Sequence, residues 1–580
     1  MTRYREDRRD VSDSKNMILA VVLSALVLLG WSWLADRYFP APATQGTTTE
    51  NKAVQPSPQI RQPSQAQPVP AAPAQLRNRA AVLGSTPRVR IETPSLQGSI
   101  NLKGAQIDDL TLVRHRQTIG RQSPPVRLLS PLGAPGAYVA AVGWTTEGAP
   151  PPTLDTVWTA DRPVLAPGNP VTLRASVGGV DYAIRMAVDD GYLFTIRQQA
   201  VNRAGHPVIL RPIGLVSRAN KSTDVDSWTN HVGPISVFNG AANYEINYST
   251  LDDEGAQSSS NVKGWLGFTD HFWLTALAPA KEMSAAFRKS PGGGYQADYA
   301  LAPSAVAPNQ QVATETRLVA GAKEFPRLKE YQAAGISELP RAIDWGWFRW
   351  FMIPIFDLLL FLFRTVGNFG VAIICLTLIV RLIMFPIAQK QFQSMAAMRK
   401  LQPKLKAVQD KWKDDRARQQ QEILKLYQQE KVNPAAGCLP ILIQIPIFYA
   451  LYKVLLVSVE MRHQPFALWI RDLSAPDPLT PVNLFGLLDF TPPAILAIGV
   501  LPILVGASQW LSMKLSPQSP DPTQRQIFAI MPWVLIFVMA PFAAGLQLYW
   551  LTNNVLSIAQ QWWLYRRFGL TFHDTHPVEE

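Results

Sequence analysis

A single arginine interrupts one of the most apolar segments of this chain. Residues 371–387 read VAIICLTLIVRLIMFPI, and the charge within them is Arg381. An arginine inside a membrane-spanning helix costs at least ~2.5 kcal/mol on insertion scales, so such a residue indicates a function. Thr377 lies one helical turn earlier on the same face. The chemistry that these two residues favour is the binding of polar groups inside a membrane.

The position of Arg381 near one end of this segment leaves two interpretations open. Pro386 and a basic sequence follow, so Arg381 lies roughly 9 Å inside that boundary at 1.5 Å per residue. Its side chain can extend to nearby lipid headgroups, which would make it an anchor. It can also line a polar cavity that opens toward the cytoplasm, which would make it a binding group.

Other polar side chains lie in apolar segments without an obvious acid to pair with Arg381. Gln444 is one, and Asn553, Ser557 and Gln560 form a stripe at helical spacing. Such stripes usually join helices, and water is the cheapest remaining partner for the arginine, which predicts a partly hydrated groove. The sequence shows no nucleophile and base pairing, zinc motif or glycine-rich phosphate loop. We therefore predict that the chain is not an enzyme and has no cofactor or metal.

The apolar residues are bunched rather than dispersed, which is typical of a membrane protein. Of the 580 residues 47% are hydrophobic, and the net charge is +12. The basic residues flank the apolar segments, where they set orientation, and no nucleic-acid module is recognisable. We therefore expect no DNA partner, while anionic membrane lipid and ribosomal RNA stay candidate partners.

Apolar segments and the charges of the short loops predict six transmembrane helices with both termini in the cytoplasm. The segments are 17–34, 371–387, 439–459, 494–513, 527–540 and 546–563. The first is interpreted as an uncleaved anchor behind a cytoplasmic N-terminus of residues 1–16, and residues 568–580 are expected to be a cytoplasmic tail. A cleavable signal peptide is the alternative for the anchor, because residues 41–43 resemble a cleavage site.

A large domain is expected between the anchor and the second span. Residues 40–85 are rich in Pro, Gln, Ala and Thr, which predicts a disordered linker. Residues 86–325 show an apolar period of two, with a clear hairpin turning at residues 189–191. These runs predict an antiparallel β-sandwich outside the membrane that serves as a scaffold or docking surface. Residues 326–367 are expected to form helices at the outer membrane interface.

The loop at residues 389–431 is net basic and is therefore expected in the cytoplasm. Apolar residues recur every three or four positions on both sides of a break at residues 413–415, which predicts a helical hairpin. Its basic faces suit contact with a ribosome, lipid or a nascent chain, and the alternative is a hairpin that is merely solvated. The residues expected to make such contacts are Lys404, Lys406, Lys411 and Lys413.

Several runs of sequence together resemble the YidC family of membrane-protein insertases. They are LTLIVRLIMFPI, the hairpin runs LQPKLK and LYQQEKVNP, GCLPILIQIPIFYALY, PFALWIRDLSAPDP, and GLQLYW with QQWWLYRR near the C-terminus. The resemblance covers residues 344–567, while the anchor and β-domain resemble the long Gram-negative form in layout. One departure is PFAAG at residues 541–545, where the family often has an aromatic residue followed by FPSG.

The resemblance implies a five-helix core at residues 368–567 that encloses a hydrophilic groove open to the cytoplasm. In that family an arginine in the groove receives polar parts of an incoming polypeptide, and the matching residue here is Arg381. The other matching groove-side positions are Thr377, Gln444, Tyr549 and Trp550. The resemblance further implies an insertase and chaperone of the inner membrane that acts on nascent membrane proteins, alone or with the Sec translocon.

The predicted fold class is a polytopic α-helical membrane protein with six transmembrane helices and a large periplasmic all-β sandwich domain. Two functions of other classes stay open on the residues alone. One is a small-solute transporter, although a transporter more often shows intramembrane carboxylates and repeated halves with broken helices. The other is a binding module in which the β-domain is the functional part.

Overall fold

The computed structural model describes most of the chain after the predicted linker. The described residues are 76–567, except 121, 225–229, 291–292, 414, 431–438, 489, 491, 494–496 and 516–521. The expected N-terminal segment (1–16), the anchor (17–34), most of the linker and the C-terminal tail (568–580) lie outside the described residues. A β-rich region comes first along the described chain, and a helical region follows.

Two β-sheets form the first region. Their strands are β1 (Arg88–Glu92), β2 (Leu96–Asn101), β3 (Gln106–Arg116), β4 (Pro125–Leu129), β5 (Tyr138–Glu147), β6 (Thr159–Ala160), β7 (Val164–Leu165), β8 (Val171–Val177), β9 (Val180–Val188), β10 (Leu193–Asn202), β11 (Val208–Arg218), β12 (Gly233–Phe238), β13 (Ala241–Asn243), β14 (Gln257–Val262), β15 (Gly264–Thr269), β16 (Trp273–Pro279), β17 (Met283–Lys289), β18 (Tyr295–Leu301), β19 (Ser304–Val306) and β20 (Gln311–Ala322).

The two sheets of the sandwich each have their own strand order. The eleven-stranded sheet follows β14-β17-β18-β11-β5-β3-β2-β1-β7, with β19 beside β11 and β4 beside β3. The nine-stranded sheet follows β13-β12-β15-β16-β20-β10-β9-β8-β6. Neighbouring strands pair antiparallel, apart from the parallel pair β1 and β7. The predicted β-sandwich is confirmed.

The hairpin expected from the alternating sequence is β9 and β10. Met186 lies opposite Ile196, and every second residue of β9 is buried. The carboxylate of Asp189 fixes the turn, because it accepts hydrogen bonds at 2.9 Å from the backbone N–H groups of Gly191 and Leu193. The period of two in the sequence therefore produces the strand pairing that it predicted.

Side chains from facing strands join the two sheets into one core. Trp144 of β5 packs on Tyr182 of β9 with ring centroids 4.9 Å apart. The Tyr299 hydroxyl of β18 is hydrogen-bonded to the Thr316 hydroxyl of β20 at 2.6 Å. Aromatic side chains bury roughly 150–250 Å² each, so rings such as these supply much of the hydrophobic stabilisation.

A short helix, α1 (Arg79–Leu83), precedes the first strand. Asn78 caps it by accepting a hydrogen bond from Ala80 at 3.0 Å. The first residue of α1 forms an ion pair with Asp109 of β3, which holds the helix on the sandwich. The linker predicted for residues 40–85 therefore ends before α1, because a capped helix with a partner in the sheet is ordered structure.

The remaining helices of the described chain lie mostly after the last strand. In chain order they are α2 (Tyr248–Asp253), α3 (Phe325–Ala333), α4 (Arg349–Val366), α5 (Phe369–Lys411), α6 (Arg416–Gln429), α7 (Leu439–Val457), α8 (Val500–Leu515), α9 (Pro522–Met539) and α10 (Ala544–Arg567), with 3₁₀ turns at Leu339–Ala342, Val459–Met461 and Pro481–Gly486. Helix α2 belongs to the sandwich. Helix α10 packs against α5, α7 and α8, while α5 also packs against α4 and α8 against α9.

The lengths of the apolar helices decide how far the six predicted spans are supported. Within the described residues, one helical segment, Phe369–Lys390 of α5, is long and apolar enough to cross a membrane. Shorter apolar helical segments occur at Gln444–Val457, Val500–Leu515 and Phe528–Met539. Helices thus lie where spans were predicted between residues 371 and 563, but their crossing of a membrane stays a prediction.

Helix α5 differs from the expectation. The sequence predicted a span ending at Ile387 and a separate hairpin arm from Gln389, with Pro386 near the boundary. Instead, Phe369–Lys411 is one helix of 43 residues that includes Pro386 and Pro403. It is roughly 65 Å long at 1.5 Å per residue. The central span and the first arm of the hairpin are therefore one element, and the hairpin itself is completed by α6.

Candidate functional site

Arg381 joins α5 to α10 through hydrogen bonds. Its Nε donates to Oδ1 of Asn553 at 2.8 Å, and its Nη2 donates to the backbone carbonyl of Asn553 at 3.0 Å and to Oγ of Ser557. The Ser557 hydroxyl in turn donates to the same carbonyl at 2.7 Å. All these acceptors are neutral. The guanidinium is therefore held in position by hydrogen bonds while its positive charge is not neutralised by them.

The polar stripe of α10 provides these acceptors. Asn553 and Ser557 are four residues apart, so they lie on one face of the helix. The sequence predicted this stripe but assigned water as the cheapest partner of Arg381. That assignment is corrected here, because the stripe itself binds the guanidinium. The third member, Gln560, has a buried Nε2 without a hydrogen-bond partner within the described part of the chain.

A second hydrogen bond links α10 to α7 next to the arginine. Nε2 of Gln444 donates to the hydroxyl of Tyr549, whose side chain is buried. Tyr549 lies one turn before Asn553 on α10, so the two interhelical bridges are neighbours. The structure thus brings three of the predicted groove residues, Arg381, Gln444 and Tyr549, together along one helix.

The other two predicted groove residues pack around this arrangement. Thr377 is fully buried, and its hydroxyl donates to the carbonyl of Ile373 in its own helix at 2.7 Å. Trp550 packs edge-on against Phe448 of α7 with ring centroids 4.8 Å apart, and its Nε1 lies 3.5 Å from Oε1 of Gln509. Neither of them forms a hydrogen bond to the arginine, so their place in the groove stays a prediction.

Two polar residues that link elements of the helical region were not identified from the sequence. Asn554 donates to the hydroxyl of Ser508 at 3.0 Å, which links α10 to α8. Lys453 of α7 is buried, and its Nζ lies 3.5 Å from Oδ2 of Asp344, just before α4. The available signal for Lys453 was that it is the charged residue in an otherwise apolar helix. Helix α10 is thus tied by polar groups to three neighbouring helices.

Polar contacts tie the C-terminal end of α7 and the residues after it to the sandwich and the start of α3. Oε1 of Glu460 accepts a hydrogen bond from the backbone N–H of Phe325 at 2.7 Å. Nε2 of His271 lies 2.7 Å from the carbonyl of Leu456. The guanidinium of Arg462 donates to two carbonyls at the end of β3, at 2.7 and 3.0 Å. Burial of the Glu460 carboxyl raises its pKa to about 7.

The four lysines expected to make cytoplasmic contacts lie far from Arg381. Lys404 is 23 residues further along α5, roughly 35 Å at 1.5 Å per residue. It forms an ion pair with Glu430 at 2.6 Å, which closes the hairpin. The remaining three, Lys406, Lys411 and Lys413, are exposed. The hairpin is therefore a separate surface from the arginine site.

Comparison with known proteins identifies the family. Residues 361–570 match the family model described as 60Kd inner membrane protein, and residues 88–358 match the model of the YidC periplasmic domain. A membrane protein insertase YidC from Zymomonas mobilis is 45% identical over 568 residues, which cover 96% of each chain. The chain belongs to the YidC family. A second YidC insertase, from Methylorubrum extorquens, is 42% identical over 594 residues and 96% of each chain.

Membership of the YidC family shows which expectations from the sequence hold. The resemblance to YidC is confirmed, the β-sandwich is the periplasmic domain of the family, and the family is one of inner membrane proteins. The prediction that the chain is not an enzyme agrees with the insertase name of its relatives, and nothing in the comparisons supports the transporter. A crystal structure of an active YidC insertase aligns with a TM-score of 0.36 and 19% identity over 82% of this chain and 92% of that chain, too weakly to add to the assignment.

Proposed function

We propose that this chain inserts nascent membrane proteins into the inner membrane and helps them to fold, and that Arg381 is the group that receives the polar part of a client. One observation carries the role of Arg381. Its guanidinium is held between α5 and α10 by the neutral acceptors of Asn553 and Ser557. The charge is thus fixed in place and remains available to an acidic or polar group that enters from the cytoplasm.

The resting hydrogen bonds of Arg381 can be exchanged for bonds to a client. A carboxylate that displaces Asn553 and Ser557 adds Coulomb attraction between two charges, which these neutral acceptors do not supply. In exchange the carboxylate loses its hydration. These two terms oppose each other. Binding stays weak enough for the client to move on, as a transient insertion site requires.

The surface beside Arg381 suits the apolar part of a client. Leu382 and Ile383, the next two residues of α5, are 71% and 70% exposed. Helix α9 also exposes large apolar side chains, such as Trp533 and Phe537. A polar tail can therefore be held at the arginine while the hydrophobic segment that follows it lies against apolar side chains and forms its helix in lipid.

The proposed topology follows the charges of the loops. It has six transmembrane helices and both termini in the cytoplasm, with residues 389–431 on the cytoplasmic side and residues 326–367 at the outer membrane surface. Exposed lysines on the hairpin favour contact with a ribosome or a nascent chain. The Sec translocon is a further proposed partner, which rests on the family resemblance.

The proposal is tested with one client protein that carries an acidic, a neutral or a basic translocated tail. Arg381→Ala should slow insertion of the acidic-tail client by about tenfold or more, since hydrogen bonds to a charged group contribute ~1.5–3 kcal/mol. Arg381→Lys should be milder, because lysine keeps the charge and loses only the planar fork. Arg381→Glu should be the most defective. Insertion is measured in proteoliposomes with matched amounts of each variant.

Two further variants serve as controls. Arg566→Ala removes a cation at the end of α10, where it stacks on Trp562 at 3.9 Å, and should not discriminate between tails. Ser557→Ala removes one of the acceptors that hold the guanidinium in place, so it should slow insertion of the acidic tail less than Arg381→Ala does. A defect of Arg381→Ala that is equal for all three tails would make the residue an anchor to lipid headgroups and would overturn its proposed role.

A further inference from the structure

A cavity of about 540 Å³ lies between the sandwich and the start of α4, outside the site at Arg381. Its walls come from α3, from the 3₁₀ turn Leu339–Ala342 and from the first turns of α4. Three cations line it, Lys329, Arg341 and Arg349, together with the carboxylate of Glu338. We propose that this cavity binds the headgroup phosphate of an anionic phospholipid in the outer leaflet of the membrane.

The charges around the cavity leave two arginines with one shared carboxylate. Nε of Arg341 donates to Oε2 of Glu338 at 2.7 Å, and Nη1 of Arg349 lies 3.8 Å from the same oxygen. Lys329 has its own partner, since its Nζ lies 3.0 and 2.9 Å from the two carboxylate oxygens of Asp357. One negative charge between two guanidinium groups leaves a surplus of positive charge. Arginine is also the side chain whose planar fork suits phosphate.

A buried tryptophan lines the cavity beside these charges. Trp345 is 3% exposed, and its ring packs against Phe325 and Phe356. Its indole Nε1 is shielded from solvent and has no hydrogen-bond partner in the part of the chain that the structure describes. The ring therefore gives the cavity an apolar wall beside the two guanidinium groups.

Exposed aromatic side chains beside the cavity indicate a lipid as the source of the phosphate. Trp347 and Trp350 flank Arg349 in sequence and are 77% and 68% exposed. Tryptophan is enriched where membrane meets water, at the depth of the headgroups. Phe361, further along α4, is also exposed. This step rests on the proposed position of α4 at the outer surface and not on the action of Arg381.

Lipid binding is measured on the full chain in detergent micelles by native mass spectrometry, during titration with phosphatidylglycerol or phosphatidylcholine. The double variant Arg341→Gln/Arg349→Gln should weaken the tightest phosphatidylglycerol site by about tenfold, as expected for the loss of charge-assisted bonds. Arg364→Gln is the matched control, since this exposed arginine lies in the last turn of α4, away from the cavity. It should leave the site unchanged.

A third variant is expected to tighten binding, which a misfolded protein would not do. Glu338→Gln removes the competing carboxylate and should tighten phosphatidylglycerol binding. Any of three results would overturn the lipid site. They are equal phosphatidylglycerol affinity of the wild type and the double variant, equal affinity of the wild type for the two lipids, and displacement of the lipid by millimolar inorganic phosphate. Insertion is measured separately. A normal insertion rate with failed lipid binding would leave the proposed role of Arg381 intact. Normal lipid binding with failed insertion would leave the lipid site intact.

Discussion

Replacing Glu460 by glutamine is expected to stabilise the junction between the sandwich and α7 in alkaline solution and to have little effect in acid. Oε1 of Glu460 accepts the hydrogen bond from Phe325, while Oε2 is shielded from solvent and has no partner within the described residues. Burial of the carboxyl raises its pKa from 4.5 to about 7, and the nearby Glu324 adds to this effect. The folded protein therefore holds this proton more tightly than the unfolded chain does.

The size of the effect follows from the two pKa values. Stability contributed by the protonated carboxyl is fully present below pH 4.5, is lost as the pH rises toward 7, and stays lost above that. The total loss is about 3 kcal/mol, because each pKa unit corresponds to 1.36 kcal/mol. Glutamine keeps the acceptor for Phe325 and cannot ionise. In a cooperative unit of 150–250 residues the gain raises Tm by roughly 6 °C or more.

Thermal unfolding of the full chain in nanodiscs, followed by tryptophan fluorescence at pH 5 and pH 8.5, measures this difference. Glu460→Gln should unfold at a higher temperature than the wild type at pH 8.5 and at nearly the same temperature at pH 5. Glu254→Gln, at an exposed glutamate of the sandwich, is the control and should show no pH-dependent difference. A shift of equal size at both pH values, or a lower Tm at pH 8.5, would refute the reasoning.

Two predictions concern insertion and its partners. The apolar part of α9, Phe528–Met539, spans roughly 18 Å against a bilayer core of about 30 Å, so the membrane should thin there. Adding four leucines to α9 should then slow insertion, whereas unchanged insertion by a folded variant would exclude thinning. Reversing the hairpin lysines to glutamate should weaken salt-sensitive crosslinking to nascent chains. Lys404→Gln alone should have a small effect, because this lysine is already paired with Glu430 and glutamine brings no new negative charge next to that carboxylate. Equal crosslinking by the reversed variant and the wild type would contradict the prediction. The reversed residues are Lys404, Lys406, Lys411 and Lys413.

Local patterns made much of the fold predictable. The alternation in β9 and β10 specifies their pairing because neighbouring residues on a strand point to opposite faces. Apolar runs likewise predicted helices near their observed positions, because buried residues of a helix recur every three or four positions. The end of a helix was harder to place. Pro386 and the charges after it marked a boundary, yet α5 continues through them.

Contacts between distant elements were the part that the sequence could not specify. The spacing of Asn553 and Ser557 shows that they share a face of α10, but it does not show which helix that face meets. The partner of Arg381 was therefore left as water. Lys453 and Asp344 posed the same difficulty, since their ion pair joins α7 to the segment before α4. Such pairs depend on how helices pack, and packing is decided by the whole set of apolar faces.

The unbroken course of α5 has a mechanical consequence. Because the hairpin arm and the segment that carries Arg381 are one helix, a sideways displacement of the arm is passed along α5 and turns it about the region that packs against α4 and α10. Pro386 lies between that arm and Arg381, at a position where helices bend most easily. The stiffness of the helix at Pro386, and at Pro403 within the arm, therefore sets how much of a displacement of the hairpin arrives at the guanidinium.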